Sequence, residues 1–207
     1  MKTDRVNLVY GIGFVLGLVL WARAIPVTQA ANFNPLPDTG QSICYDLQGH
    51  EMTCPEQGEE LFGQDGNYWG SQPFFTHDVV GGDEIVIDSN TGLMWQQDTA
   101  DTNGDAIVDE DDRLDQQSAV DFCDSLEFAG HSDWRLPTIF ELTTIMNFNH
   151  FAPVIDSSIF SCEADYYWSF TWFAGDLFSA WAVDFNHGAD HWYDQEETFY
   201  VRCVRDN

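Results

Sequence analysis

An α+β fold is predicted by three observations. Two helical signatures precede the main run of strand patterns, the late strands read as short and antiparallel, and Gly-, Pro- and Asn-rich turns separate nearly every element, making the chain loop-rich.

The elements follow in order. Residues 32–41 form a Pro/Asn/Gly-rich linker, and 42–65 a loop-rich segment holding Cys44 and Cys54. Residues 67–75 are aromatic and turn-rich. Ile85-Val86-Ile87 and Leu93-Met94-Trp95 read as two strands joined by the turn Asp88-Ser-Asn-Thr-Gly92, giving a hairpin. The spacing predicts a helix over 116–129. Asp115 is its N-cap, Ala119, Phe122, Cys123 and Leu126 share one face, and Gly130 is the stop. Thr138-Ile-Phe-Glu141 is a capping box that opens a second helix, running through Leu142 and Ile145 to about Asn147. After Pro153 only short strands are expected, over 166–169, 180–185 and 199–204, with Asn186-His187-Gly188 as a turn between strands.

The first thirty residues read as a targeting segment. Lys2 and Arg5 make a positive start, an apolar run follows from Leu8 to Trp21, and Thr28-Gln29-Ala30 offers a cleavage site. The run is short for a membrane span, which needs about 20 apolar residues, although an uncleaved N-terminal anchor is the alternative. The expected organisation is therefore a signal peptide or anchor over 1–30, a linker and loop-rich segment over 31–79, and a domain over 80–207. The expected location is extracellular, periplasmic or on the cell surface.

The charge is extreme. Of the 7 Lys+Arg and 35 Asp+Glu, Lys2, Arg5, Arg23 and Asp4 lie in the leader, so 4 basic and 34 acidic residues remain beyond it, a net charge of −30. No lysine is among them. Such a surface repels nucleic acid, anionic lipid and sulfated polysaccharide at long range. Neither a nucleic-acid partner nor a membrane contact beyond the leader is expected. The abundant aromatics exclude a disordered acidic tail. All five cysteines lie beyond the leader, and export permits disulfides. A Cys44–Cys54 bridge would close a small loop, and an odd count leaves one thiol unpaired within the chain.

The most informative stretch is Asp101-Thr-Asn-Gly-Asp-Ala-Ile-Val-Asp-Glu-Asp-Asp112. Asp101, Asn103, Asp105, Asp109 and Asp112 supply side-chain oxygens at positions 1, 3, 5, 9 and 12 of an EF-hand-like loop, and Ile107 a backbone carbonyl at position 7. The expected cofactor is calcium (Ca2+). Ala106 stands where a glycine usually makes the sharp turn, and Asp112 replaces the usual Glu, as in loops of the dockerin kind. A dockerin proper needs two such loops, and the sequence holds one.

Other constellations read as structural. Gly130-His-Ser-Asp-Trp-Arg-Leu-Pro137 puts His, Ser and Asp side by side, but adjacency does not make a nucleophile–base–orienter geometry. Arg135 is expected to tie a nearby carboxylate or carbonyl. His187-Gly-Ala-Asp-His191 has no cysteine beside it to complete a transition-metal site. Between Tyr166 and Tyr193 the chain is unusually aromatic. Strand alternation sends about half of those rings to the core. Trp172, Asp176, Asn186, His187, Asp190 and Trp192 are left as the candidate ligand face, because aromatic faces beside carboxylates and amides suit sugar rings or protein anchors.

Several phrases together resemble the family of the Lcl C-terminal domain, found in collagen-like bacterial adhesins. They are Asn90-Thr-Gly-Leu-Met-Trp95, Ala129-Gly-His-Ser-Asp-Trp-Arg-Leu-Pro137 with Glu141-Leu142, Tyr167-Trp-Ser169, Ala180-Trp-Ala-Val-Asp-Phe185 and Tyr200-Val-Arg-Cys-Val-Arg205. They run in the family's order from about Val80 to the end, with a weaker echo around Cys44 and Cys54. The resemblance implies a C-type-lectin-like fold, akin to that of sulfatase-modifying factors, with two helices packed on short antiparallel strands and stapled by disulfides. It implies a bridge from the helix cysteine Cys123 to Cys203 in the last strand, with Cys44–Cys54 as the local second bridge and Cys162 left over. It also implies adhesion or surface binding. Two departures stand out: Gln116 occupies a place where the family often has Trp, and the acidic loop is inserted just before that helix.

Three functional expectations follow. The first is an exported calcium-binding lectin-like module that recognises a surface glycan or protein. The second is a structural subunit of a cell-surface layer or extracellular fibre, with Cys162 and homo-oligomer contacts as links. The third is an enzyme related to sulfatase-modifying oxidases, suggested only by the Val201-Arg-Cys-Val204 ending; an enzyme is not the expected class.

Overall fold

In the computed structural model the described residues are 38–207, apart from 69 and 71. The leader assigned to 1–30 and the first part of the linker lie outside them. Among the described residues, no helix is long and apolar enough to cross a membrane.

The chain opens with a two-stranded hairpin, β1 (Cys44–Tyr45) and β2 (Glu51–Met52). Cys44 and Cys54 are bridged across it. The Gln64 side chain completes its edge, accepting from Tyr45 N at 2.8 Å and donating to Tyr45 O at 2.9 Å.

The main antiparallel sheet runs in the order β3 (Phe75–Val80), β4 (Asp83–Asp88), β5 (Leu93–Gln96) and β9 (Val204–Asp206). The β4–β5 hairpin stands where the sequence predicts it. Asp88 organises its turn, accepting from Asn90 N at 2.9 Å and Thr91 Oγ1 at 2.6 Å. Strand β3 is an addition to the predicted elements. It joins β4 through Gly81 and Gly82, both at positive φ, the backbone that a tight two-residue hairpin requires. Because β3 starts at Phe75, the sheet reaches back into the segment read as linker and loop.

Helix α1 (Gln116–Ser125) begins at the predicted cap, with Asp115 Oδ1 accepting from Ser118 N at 2.8 Å. It ends four residues early. Gly130 does not stop the helix; with Ala129 it forms a two-residue turn, both at positive φ, and Phe128 and His131 exchange backbone hydrogen bonds at 3.0 Å. Helix α2 (Ile139–Thr144) carries the full capping box between Thr138 and Glu141, and is also shorter than predicted.

The second sheet orders β6 (Tyr166–Trp172), β7 (Ser179–Asp184) and β8 (Ala189–Asp194), all antiparallel. Strand β8 follows the 186–188 turn directly, so the strand after that turn is 189–194 rather than 199–204. The 199–204 segment instead passes between the two sheets. Tyr200 bridges Tyr167 of β6, Phe199 bridges Leu114, and Val204 enters β9. A segment crossing from sheet to sheet pairs with each at single positions, which is why it does not read as one strand.

That crossing segment is the spine of the core: Val201, Arg202, Cys203 and Val204 are fully buried. One side of the core gathers around α2, with Trp95, Leu142, Phe160 and Phe185. The other gathers around α1, with Trp134, Trp168, Cys123 and Cys203. Trp95, Trp134 and Trp168 are wholly buried, each contributing about 4–6 kcal/mol gross. Cys123 and Cys203 are bridged across 80 residues of chain, Cα to Cα 5.6 Å, tying α1 to the spine. Cys162 is the free cysteine. In broad class the structure is α+β, with small antiparallel sheets dominating and few helices.

Candidate functional site

The acidic loop is ordered by its own backbone. Asp101 Oδ1 accepts from Gly104 N at 2.6 Å, and its Oδ2 from Ala106 N at 2.8 Å. Asn103 accepts from Asp105 N, and Asp105 from Ile107 N, both at 2.9 Å. Asp112 Oδ1 accepts from Thr102 N at 2.7 Å, and Oδ2 from Asp109 N at 3.0 Å. Asp109 caps the one-turn 3-10 helix Glu110–Asp112, accepting from Asp111 N at 2.8 Å. Burial of Asp112 raises its carboxyl pKa, but the N–H groups of Asp109, Thr102 and Asn103 outweigh that and hold it below the ordinary aspartate value.

Ala106 sits at φ +67°, the left-handed backbone that glycine usually supplies at this position. An L-residue there costs about 1 kcal/mol, so the turn keeps its shape despite the substitution. The donor set is oxygen throughout and suits a hard cation. Each carboxylate offers about four acceptor sites, so these N–H bonds do not exhaust it. Among the described residues, no three His, Cys, Asp or Glu side chains converge as a metal-holding group. The candidate ligands are held one by one on backbone N–H groups.

The six residues of the candidate ligand face are separated by strand register. Directly paired residues share a face of a sheet. Trp192 pairs with Trp181 and Asp190 with Val183, which puts them on one face. Trp172 pairs with Ala180, itself opposite Tyr193, on the other. Asp176 lies in the β6–β7 connection, where it accepts from Phe178 N at 2.8 Å and from Ser179 Oγ at 3.1 Å. Asn186 and His187 lie at the far end of β7, about 20 Å of strand away. His187 Nδ1 is 2.7 Å from Asp184 Oδ2.

Asp190 and Trp192 remain as neighbours on the α2 side of the sheet, whereas Asn186 and His187 lie in the β7–β8 turn, His187 joined to Asp184. Trp192 stacks on Phe173, centroids 4.8 Å apart and nearly parallel. Asp190 lines a cleft of about 320 Å³ between α2 and the β7–β8 turn, walled by Phe140, Thr144, Met146 and Phe148. Phe140 is 79% exposed, and Phe151, edge-on to His187, is 74% exposed. These phenylalanines were not singled out from the sequence. The signal was present: Phe140 follows the Thr138 cap on the side of the helix away from Ile139 and Leu142, where an apolar residue has no core to enter.

Arg135 ties Glu141, as expected, and also Asp206. Arg202 is wholly buried and faces carbonyl groups rather than an acid. It donates to Gln96 O at 2.8 Å, to Gln97 O and to Ser161 O at 2.6 Å, and lies over the Phe160 and Tyr167 rings. Cys203, in the Val201-Arg-Cys-Val204 ending, is committed to its bridge.

A search of the curated proteins finds no match to this chain. The Lcl C-terminal domain family matches residues 84–205, the span that runs from β4 to β9. The chain belongs to the Lcl C-terminal domain family.

Proposed function

We propose that this protein is an exported, calcium-fastened module of C-type-lectin-like arrangement that recognises a glycan or protein on a surface. The observation that carries the recognition role is the cleft beside Asp190, with exposed aromatic rings at its rim. A soluble domain rarely leaves several large aromatics around a concavity without a ligand for them. Asp190 supplies a polar contact there, and Phe140 and Phe148, with Trp192 next to Asp190 on the same strand face, the flat faces on which a sugar ring or protein anchor packs. Calcium is assigned to the 101–112 loop on its oxygen spacing and left-handed turn, as a fixed fastener of the α1 entry rather than a switch.

Glycan and protein arrays probed with the calcium-loaded protein test recognition. Binding that is lost in Asp190→Asn and Trp192→Ala supports it; silence of the folded protein on both arrays contradicts it.

A second reading, a structural subunit of a surface layer or fibre, draws support from β3. This edge strand is exposed from Thr76 to Val80 and is paired on one side only, the geometry onto which a strand of another copy adds. A strictly monomeric species across concentrations in light scattering would set it aside.

A further inference from the structure

A second cleft, of about 390 Å³, lies between the acidic loop and α1, away from the α2 cleft. Phe122 and Leu126 of α1, Phe128 and Val108 form its apolar walls, and Asp98 and Asp101 add carboxylates. Phe128 is fixed in place: its ring meets Trp134 edge-on at 5.6 Å, and its carbonyl accepts from Trp134 Nε1 at 3.0 Å. Asp98 is exposed and, among the described residues, accepts no hydrogen bond and forms no ion pair.

Among the described residues, no arginine or lysine serves these acids. The described residues hold four arginines and no lysine. Arg113 is paired with Asp165, Arg135 with Glu141 and Asp206, and Arg205 with Asp133, while Arg202 is buried on carbonyls. The cleft therefore has rings and carboxylates but no positive group, on a surface whose field draws in cations.

We propose that this cleft docks an arginine side chain on an exposed segment of a partner protein. The guanidinium would fork onto the exposed Asp98 carboxylate, with its alkyl stem and flat face against Phe122 and Phe128. Arginine suits the cleft better than lysine because a planar, weakly hydrated cation can stack on rings while it donates. The occupancy stands apart from the glycan or protein reading of the α2 cleft and does not require calcium.

The test is an NMR titration of the 15N-labelled protein in EDTA at about 0.15 M salt. The probe is a glycine–serine peptide with one central arginine, and the reference is its neutral citrulline counterpart. The arginine peptide should shift signals of Phe122, Phe128 and Asp98. Asp98→Asn should weaken it about tenfold or more, whereas Glu60→Gln, an equal charge change at a remote exposed site, should leave it nearly unchanged. Both positions are exposed and the same spectra report folding. Equal binding of the citrulline peptide, equal loss in the two variants, or absence of binding would overturn the proposal.

Discussion

Arg135 grips Glu141 with two parallel hydrogen bonds, Nη1 to Oε2 at 2.8 Å and Nη2 to Oε1 at 2.7 Å. The same Glu141 Oε2 accepts from Thr138 N at 2.8 Å and Oγ1 at 2.9 Å. One carboxylate thus caps α2 and fixes the Trp134–Leu136 segment beside it. Glu141→Ala removes both roles. The expected loss is about 2 kcal/mol, mostly from the cap because the ion pair is partly exposed. The urea midpoint measures it; an unchanged midpoint would contradict the assignment.

Acid should weaken the fold through the same group. Burial raises the Glu141 pKa, but Arg135 and the Thr138 N–H outweigh it and leave the carboxyl below the ordinary glutamate value. Asp112 is likewise depressed. A depressed folded-state pKa gives stability that is present above the unfolded value, about 4, and lost as pH falls through the folded one. Urea midpoints should therefore drop below about pH 4, and Glu141→Gln should flatten part of that drop. Parallel curves for the variant and the parent would argue against it.

The two disulfides should differ in weight. Cys123–Cys203 spans 80 residues and Cys44–Cys54 spans 10. Loop entropy gives about 4.5 and 3 kcal/mol respectively. Replacing Cys123 and Cys203 by Ala should lower the thermal midpoint of the whole domain. Replacing Cys44 and Cys54 should act chiefly on the N-terminal hairpin, read by local hydrogen exchange. Equal global losses would contradict this ranking.

Cys162 should be slow to react. Burial raises its thiol pKa despite the neighbouring Arg202, and its Sγ lies 3.4 Å from the Tyr167 hydroxyl. Little thiolate forms at neutral pH, and the thiolate is the nucleophile. Mass spectrometry after iodoacetamide should show slow labelling in the native protein and fast labelling in urea. Equal rates would contradict it.

The parts legible in the sequence were those with a local chemical signature. Asp115, the Thr138–Glu141 box and the Asp88–Gly92 turn each announce themselves within a few residues, and each stands where its residues place it. Strand β3 was missed because Phe75-Thr-His-Asp-Val-Val80 buries no residue and so shows no apolar alternation; only Gly81-Gly82 betrays it. Strand β8 was missed for a similar reason, as Ala189-Asp-His-Trp-Tyr-Asp194 is a largely exposed edge. The separation of Trp172 from Trp192 lies beyond any local pattern. It depends on which residues of β7 they pair with, Ala180 for Trp172 and Trp181 for Trp192, which only the paired strand reveals.

Calcium binding at the 101–112 loop is tested by thermal melting in about 5 mM calcium against excess EDTA. At a dissociation constant of about 0.1 to 1 mM, loading should raise the midpoint by about 5 °C. Asp101→Asn with Asp105→Asn should abolish the rise. Equal melting of the parent protein in calcium and in EDTA would contradict a calcium-fastened fold.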